Sequence, residues 1–516
     1  MEPLYNSPPI ASSLLRFGRV QKADYVEQAV WSYRHVPTIE ALGKTLSRKD
    51  VAMRLAQRPP FEDDMRRAAS HDRLEMVQAA MLEWFEPLPF HLDLHESISR
   101  AIRGGLSQRN PFTPGYYRDS GVQIDHFWSP PRTFQRSSAL GFQLTGISGG
   151  GKTSAIERDL SLYPQWIQHT EYTGKPFRFD QLTWLHLDCP FDVSVRGLCV
   201  NFIQAVDAIF KPPKPEASYL HLYNKGNRAT VDTLIPSIAA IATNHCLGLL
   251  VIDEIQRLAL AKSGGAERML AFFVQLVNTI GVPVILVGTW KARAILAKEF
   301  IQIRRGSGQG EKEWDRMQKG SQNWSHFIDA MWNFQFVKHA VELTPELSDT
   351  LYDETQGIAD YAIKVFCMAQ WRAISTGRER LTPAMIRSVA KDGFKSARNV
   401  LKALREGKST AVIGQLEDVL PPDILELMQQ EQKKLDRRQQ ATPVSKPTDA
   451  NAASDKPATP PKADVTPASE SKQLSEGGTP ENVGPSLADI IKAGKSNGIS
   501  PAQALAGANL STVLQA

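Results

Sequence analysis

The chain has 516 residues, with 60 lysines and arginines against 55 aspartates and glutamates, for a formal net charge of +5. Hydrophobic residues make up 42% and charged residues 22%, the balance of a soluble globular protein with several domains. No apolar run is long enough to cross a bilayer and no signal-peptide pattern opens the chain, so we expect neither a membrane protein nor a secreted disulfide scaffold. The four cysteines form no CxxC pair, so we expect no zinc site. We expect a cytoplasmic location.

Residues 1–125 are helix-leaning, rich in Ala, Arg, Glu and Met and interrupted by prolines. From Gly141 onward, short apolar runs alternate with segments of helical period, which is typical of a parallel sheet in an α/β domain. We therefore predict a helical N-terminal region over 1–125 and an α/β core over 126–340.

The first predicted strand, 142–145, leads into a glycine-rich loop. Residues 146–153 read GISGGGKT and match the phosphate-loop pattern G-x-x-x-x-G-K-[ST] completely, between a strand and a helix. Glycines allow backbone N–H groups to converge on an anion, Lys152 is expected to reach the β- and γ-phosphates, and the Thr153 hydroxyl to hold Mg²⁺. The predicted ligands are thus a nucleoside triphosphate, which the resemblance described below implies to be ATP, and Mg²⁺. The predicted binding residues of the loop are Gly146, Ser148, Gly149, Gly150, Gly151, Lys152 and Thr153.

A strand over 184–188 and helices over about 198–209 and 231–242 follow, whose apolar positions are interpreted as core. The next strand, 249–252, ends in Asp253 and Glu254. Two carboxylates after a buried strand have little structural use without a cation, so Asp253 is predicted to join the Mg²⁺ shell and Glu254 to act as the base on the attacking water.

A helix over about 266–280 stops at Gly281-Val282-Pro283, and a fourth strand, 284–288, ends at Thr289. A polar group at that strand end is predicted to sense the γ-phosphate or the attacking water, although a lone Thr there is also a common turn residue. Four strands interleaved with helices suffice for a doubly wound P-loop sheet.

The C-terminal part has a different composition, since no aromatic residue follows Phe394. Residues 441–485 contain eight prolines among Ser, Thr, Ala, Lys and Asp, which predicts a disordered linker. Short amphipathic stretches over 486–516 predict either a docking peptide on a tether or a frayed tail without a role.

Several segments together resemble the AAA+ family, and more narrowly the TnsC/TniB-type ATPase regulators of DNA transposons. The resemblance covers about residues 90–405, and the segment ending in Asp253-Glu254 is its most specific part. Its segments are Ala101–Gly105, Arg109–Pro111, Gly146–Thr153, His245–Gln256, Ser263–Gly265, Phe272–Asn278, Ile280–Val284 and Val287–Thr289.

The resemblance implies an ATPase that assembles as rings or filaments on duplex DNA and activates a transposase at a site chosen by a target-selection protein. It also implies an arginine supplied to the neighbouring subunit's site, for which Arg304 and Arg305 are the candidates. A small helical lid is expected over 341–440, where Lys364 stands in the place of a second sensor that is often an arginine.

The predicted DNA contacts are basic residues on and after the helix that follows strand 184–188. Arg196 is the first choice because related sequences have a basic residue there, and the others are Lys211, Lys214, Lys225 and Arg228. Without a helix-turn-helix or zinc-finger spacing, we expect backbone contacts that are largely independent of sequence.

Two other functions use the same motifs. The main alternative is an NTP-dependent protein-remodelling or signalling switch that does not bind DNA. A P-loop kinase is disfavoured because the Asp253-Glu254 pair and Thr289 match an ATPase and no acceptor site is visible.

Overall fold

The computed structural model describes residues 19–125, 140–260, 265–275, 280–293, 296, 309–395, 397–409, 412 and 424–441. The chain divides into two units, residues 1–443 and 444–516, and every described residue lies in the first. Apart from Ala441, the predicted linker over 441–485 and docking peptide over 486–516 lie outside the described residues.

The strands and helices have the following bounds in chain order. The strands are β1 (Val20–Lys22), β2 (Phe142–Gly146), β3 (Trp166–Tyr172), β4 (Lys175–Leu182), β5 (Trp184–Asp188), β6 (Leu249–Asp253), β7 (Val284–Thr289) and β8 (Glu311–Trp314). The helices are α1 (Pro37–Glu40), α2 (Arg48–Leu55), α3 (Ser70–Glu83), α4 (Pro89–Ser107), α5 (Tyr116–Asp125), α6 (Lys152–Leu160), α7 (Val195–Phe210), α8 (Tyr219–Tyr223), α9 (Val231–Asn244), α10 (Gly265–Gln275), α11 (Gln322–Trp332), α12 (Pro345–Thr355), α13 (Ala359–Thr376), α14 (Pro383–Gly393), α15 (Arg398–Arg405) and α16 (Ile424–Ala441).

The α/β core is built on a five-stranded parallel sheet with the order β5-β6-β7-β2-β8. The four strands expected from the apolar runs are present, so the prediction of a P-loop parallel sheet is confirmed. The fifth strand, β8, is an addition at the edge beside β2. Its residues, Glu-Lys-Glu-Trp, form no apolar run, because an edge strand can expose much of its surface.

The central strands are apolar because helices cover both faces of the sheet. Leu249 and Val251 of β6 pack with α4 and α6, whereas Leu250 and Ile252 pack with α7, α9 and α10. Each such side chain contributes about 1.5–3 kcal/mol by leaving water. The N-terminal helix α4 is therefore part of the layer of helices that covers the sheet.

A second, three-stranded sheet has the order β1-β3-β4 and was not expected. β3 and β4 form a hairpin whose turn residues, Thr173 and Gly174, both have positive φ, at 50° and 75°. Two consecutive positive φ values are the geometry of tight hairpin turns, and Gly174 adopts it without steric cost. Phe177, Phe179 and Gln181 of β4 alternate toward the interior, and this alternation is the feature of the sequence that could have indicated the strand.

Helices α11 to α16 form a bundle with its own core, called the lid bundle because it includes the region predicted as a lid, 341–440. α3 from the N-terminal region packs against α13 of this bundle. The Arg73 side chain, which is fully buried, makes two hydrogen bonds of 2.7 Å to the Glu379 carboxylate and a third to the Phe336 carbonyl. The N-terminal region thus contacts both the sheet, through α4, and the bundle, through α3.

All four cysteines lie in the described part of the chain, where they are buried and unpaired. No helix among the described residues has both the length and the hydrophobicity needed to span a membrane.

Candidate nucleotide-binding site

The glycine-rich loop connects the end of β2 to the start of α6. Gly149 and Gly151 have φ values of 74° and 88°, a conformation that other residues rarely adopt. Gly151 is the N-cap of α6 and has no side chain, so no cap occupies the first-turn N–H groups. A bare helix N-terminus behind a glycine loop is suited to bind an anion.

Lys152 is held inside this loop. Its side chain is buried, and its Nζ donates to the carbonyl oxygens of Gly146 at 3.1 Å and Ile147 at 2.6 Å. These carbonyls keep the ammonium group at the loop, where it can compensate the negative charge of an anion bound in the cradle formed by residues 146–151.

Thr153 and Asp253 meet across the end of the sheet. The Thr153 hydroxyl donates to Asp253 Oδ2 at 2.7 Å, and His186 Nε2 on the neighbouring strand β5 lies 3.8 Å from the same oxygen. Burial of Asp253 opposes its ionisation, but the nearby His186 ring and the hydrogen bonds from Thr153 and the Glu254 backbone outweigh it and lower the pKa of the carboxyl group below its usual value. Asp253 is therefore held as a carboxylate.

Glu254 leaves β6 in a left-handed conformation, with φ of 57°, and its backbone N–H donates to Asp253 Oδ1 at 2.6 Å. Its side chain is 40% exposed, and burial of the rest, followed by the charge of Asp253, raises its pKa. Gln256 Nε2 donates to Glu254 Oε2 at 2.7 Å, and Gln256 Oε1 accepts the backbone N–H of Thr289 at 3.1 Å. The two strand ends that carry Glu254 and Thr289 are thus connected by one side chain.

The residues present fit a magnesium-bound triphosphate. A hydroxyl and a carboxylate in contact, Thr153 and Asp253, are hard oxygen donors of the kind that Mg²⁺ binds. The open helix N-terminus and Lys152 supply donors and positive charge for the phosphate groups. Mg²⁺ would be held by Thr153 and Asp253.

Trp314, at the end of β8, supports the loop from the side and was not expected from the sequence. Its indole Nε1 donates to the Gly150 carbonyl at 2.7 Å, and a Cβ atom on Gly146 would collide with the Trp314 carbonyl. The rings of Phe90 and His91 from α4 pack edge-on against the indole. No motif marks this tryptophan, because its role depends on the pairing of β2 with β8, whose partner residues, such as Gly146 and Trp314, are far apart in the sequence.

The lid bundle also contacts the loop. The backbone N–H of Asp360, at the start of α13, donates to the Gly149 carbonyl at 3.2 Å. Lys364, one turn later, makes an ion pair of 2.6 Å with Asp360. The contact of Lys364 with nucleotide stays a prediction.

The remaining predicted site residues are the two arginines and the DNA contacts. Arg304 and Arg305 are outside the described residues, and so is the side chain of Lys225. Lys211, Lys214 and Arg228 are exposed. Arg196 is half-buried and donates to Ala229 O at 3.2 Å and to both oxygens of Asn227 at 2.9 Å, so it has a structural role in holding the loop before α9.

Residues 135–296 match the family model described as AAA domain. Similar solved structures are ORC1 of Aeropyrum pernix in complex with DNA, at 11% identity over 56% of this chain and 67% of that chain with a TM-score of 0.33, and ORC2 of the same organism in ADPNP–ADP complexes, at 12% identity over 63% and 86% with a TM-score of 0.34. A Walker-type ATPase of Pyrococcus abyssi is similar at 14% identity over 62% of this chain and 88% of that chain, with a TM-score of 0.33. No curated protein matches the sequence.

The matched residues include the glycine-rich loop, the Asp253-Glu254 pair and Thr289, all at one edge of the five-stranded sheet. Residues 135–296 therefore form an AAA+ domain, which carries the glycine-rich loop at the edge of its parallel sheet.

Proposed function

We propose that the protein hydrolyses ATP at the edge of the five-stranded sheet and uses the bound nucleotide to control its assembly on duplex DNA. The contact between Thr153 and Asp253, with Lys152 and Glu254 beside it, carries the ATPase part of the proposal. The further role, linking a target-selection protein to a transposase, is supported by the sequence resemblance to TnsC/TniB-type regulators.

Each side chain of the site has a distinct role in the proposal. The loop N–H groups of residues 146–151 and the Lys152 ammonium bind the phosphates, and the Glu254 carboxylate accepts a proton from the attacking water. When bound by Thr153 and Asp253, Mg²⁺ neutralises charge on the phosphate oxygens. Thr289 reports on the γ-phosphate.

The remaining assignments complete the proposed assembly. Arg304 or Arg305 acts on the site of a neighbouring subunit in a ring or filament, and Lys364 reaches the nucleotide from the lid. The proposed organisation is a helical N-terminal region over 1–125, an AAA+ core over 126–340, a lid over 341–440, a linker over 441–485 and a docking peptide over 486–516.

The ATPase proposal is tested with Lys152→Ala and Glu254→Gln. Lys152→Ala is expected to abolish ATP binding, because the cradle loses its cation. Glu254→Gln is expected to bind ATP with unchanged affinity and to hydrolyse it about a hundredfold or more slowly, since a positioned base contributes about 10²–10⁴-fold. Phosphate release and equilibrium binding of a fluorescent ATP analogue measure both effects, and normal turnover in Glu254→Gln would contradict the assignment of the base.

The DNA part is tested by charge reversal at exposed positions. The triple variant Lys211→Glu, Lys214→Glu and Arg228→Glu is expected to lose ATP-dependent binding to duplex DNA, whereas Arg196→Glu would also break internal hydrogen bonds. The matched control changes three exposed basic residues of the N-terminal region, Lys44, Lys49 and Arg54, to Glu. Equal DNA binding by both triple variants would place the interface elsewhere.

The alternative, a protein-remodelling or signalling switch, uses the same nucleotide site. It differs in one measurable respect, because it requires no affinity for DNA in the ATP state. Binding of the wild-type chain to duplex DNA with ATP, with ADP and without nucleotide separates the two functions.

A further inference from the structure

We infer that Gln256 is a positioning residue for hydrolysis, which orients the Glu254 carboxylate and couples it to the end of β7. The inference rests on the proposed function, since it assigns a residue that acts through the proposed base.

Both polar atoms of the Gln256 amide form hydrogen bonds, and only one orientation of the amide group allows both. Its Nε2 donates to Glu254 Oε2 at 2.7 Å and its Oε1 accepts the Thr289 backbone N–H at 3.1 Å. The reverse orientation would place the amide oxygen against a carboxylate oxygen and the amide NH₂ group against an N–H donor. The side chain therefore connects a fixed donor on β7 to the carboxylate on β6.

The local backbone leaves space for the bridge that the Gln256 side chain forms between Glu254 and Thr289. A Cβ atom at Gly288 would lie 2.9 Å from Gln256 Oε1 and 2.6 Å from Ile255 Cγ2, so a larger residue at 288 would displace the amide. The positive φ of Glu254 turns the chain directly after β6, which brings Gln256 back over the end of β7. The absence of a side chain at Gly288 and the turn at Glu254 therefore both allow Gln256 to contact the Thr289 N–H.

The bridge matters because the Glu254 side chain is otherwise weakly held. It is 40% exposed, and its ion pair with Arg257 is long, with Arg257 Nη2 lying 4.0 Å from Oε2. Arg257 also donates at 2.7 Å to the Cys189 carbonyl, which holds it away from the carboxylate. Loss of the Gln256 amide would release Glu254 to other rotamers, and displacement of a reacting group by about 1 Å costs about a hundredfold in rate.

The experiment compares Gln256→Leu with Gln256→Glu. Gln256→Leu removes both hydrogen bonds, whereas Gln256→Glu can still accept the Thr289 N–H but presents an oxygen to the Glu254 carboxylate. We expect both variants to bind ATP with affinity within about twofold of wild type and to lose about tenfold or more in turnover, with Gln256→Glu the slower. Gln335→Leu is the matched control, because Gln335 likewise joins the Val341 N–H and backbone carbonyls, but in the lid bundle.

A double variant separates positioning from general support of the fold. If Gln256 acts through Glu254, adding Gln256→Leu to Glu254→Gln leaves turnover at the level of Glu254→Gln alone, whereas an independent structural effect multiplies the loss. Wild-type turnover in both Gln256 variants, a milder defect in Gln256→Glu, or multiplied losses in the double variant would each overturn the inference. Failure of the proposed base is a separate result, since it would appear as normal turnover in Glu254→Gln alone.

Discussion

At the scale of single residues, His91 shows how burial sets a protonation state. Its ring lies between Phe90 and Trp314, and its Nδ1 accepts the Leu88 backbone N–H at 2.8 Å, which requires that nitrogen to be unprotonated. Burial, with a contribution from the charge of Arg158, lowers the pKa of His91 to about 3. The neutral ring thus caps the start of α4 beside the residue that supports the glycine-rich loop.

This state predicts a dependence of stability on pH. Because the pKa of His91 is lower in the folded chain than in the unfolded one, its contribution is complete above about pH 6.5 and is lost as the pH falls toward 3, by about 1.4 kcal/mol per pH unit. Burial lowers the pKa of His169 to about 4, so the stability that this residue contributes is also lost as the pH falls. Urea unfolding at pH 7.5, 6.0 and 5.0 measures the slope.

The variant His91→Gln, which keeps an acceptor but does not titrate, is expected to reduce that slope by about one proton. His221→Gln, at an exposed position of α8, is the control. A slope that is unchanged in His91→Gln would mean that His91 does not hold the neutral state in the folded chain.

At the scale of elements, β8 is the strand that supports the glycine-rich loop. It lies parallel to β2 at the edge of the sheet and places the Trp314 indole against Gly150. The loop is therefore held between α6 on one side and β8 on the other. Its conformation depends on a strand that is distant in the sequence, since Gly146 of β2 pairs with Trp314 of β8.

We predict that Trp314→Phe weakens ATP binding about fivefold, because it keeps the ring packing but removes a hydrogen bond of about 1 kcal/mol. Isothermal titration with a non-hydrolysable ATP analogue measures the change. Trp332→Phe is a matched control, since Trp332 is equally buried and its Nε1 donates to the Val341 carbonyl in the lid bundle. Equal affinity in both variants would show that the indole bond does not hold the loop.

The elements that could be predicted from the sequence are those whose secondary structure is specified by residues close together in the chain. Leu249 to Asp253 and Val284 to Thr289 are continuous apolar runs with polar ends, because both faces of those strands are covered. Trp314 and β8 could not be predicted, since a charged edge strand is specified by its neighbour β2. Gln256 could not be assigned either, because its role requires that the ends of β6 and β7 lie side by side.

At the scale of the molecule, the N-terminal region connects the core with the lid. α4 packs on the sheet, and α3 packs on α13 of the lid bundle. The buried pair of Arg73 and Glu379 holds α3 to the chain segment after α13. Helices α3 and α4 are therefore part of the structure around the nucleotide site.

We predict that Arg73→Met destabilises the chain by about 3–5 kcal/mol, because it leaves the Glu379 carboxylate without its buried partner. The double variant Arg73→Met with Glu379→Leu is expected to recover part of this loss. Arg48→Met, which removes an exposed ion pair with Asp93, is the control with a small effect. Urea unfolding measures all three, and equal losses in the Arg73 and Arg48 variants would contradict the role of the buried pair.

The contact between Asp360 and Gly149 has a consequence for communication within the protein. The peptide that cradles the phosphates is one hydrogen bond away from the first turn of the lid helix, and the far end of that helix leads to the carboxylate clamped by α3. The contacts from Gly149 through α13 to Glu379 are continuous, and they join the glycine-rich loop to α3 at the opposite end of that helix.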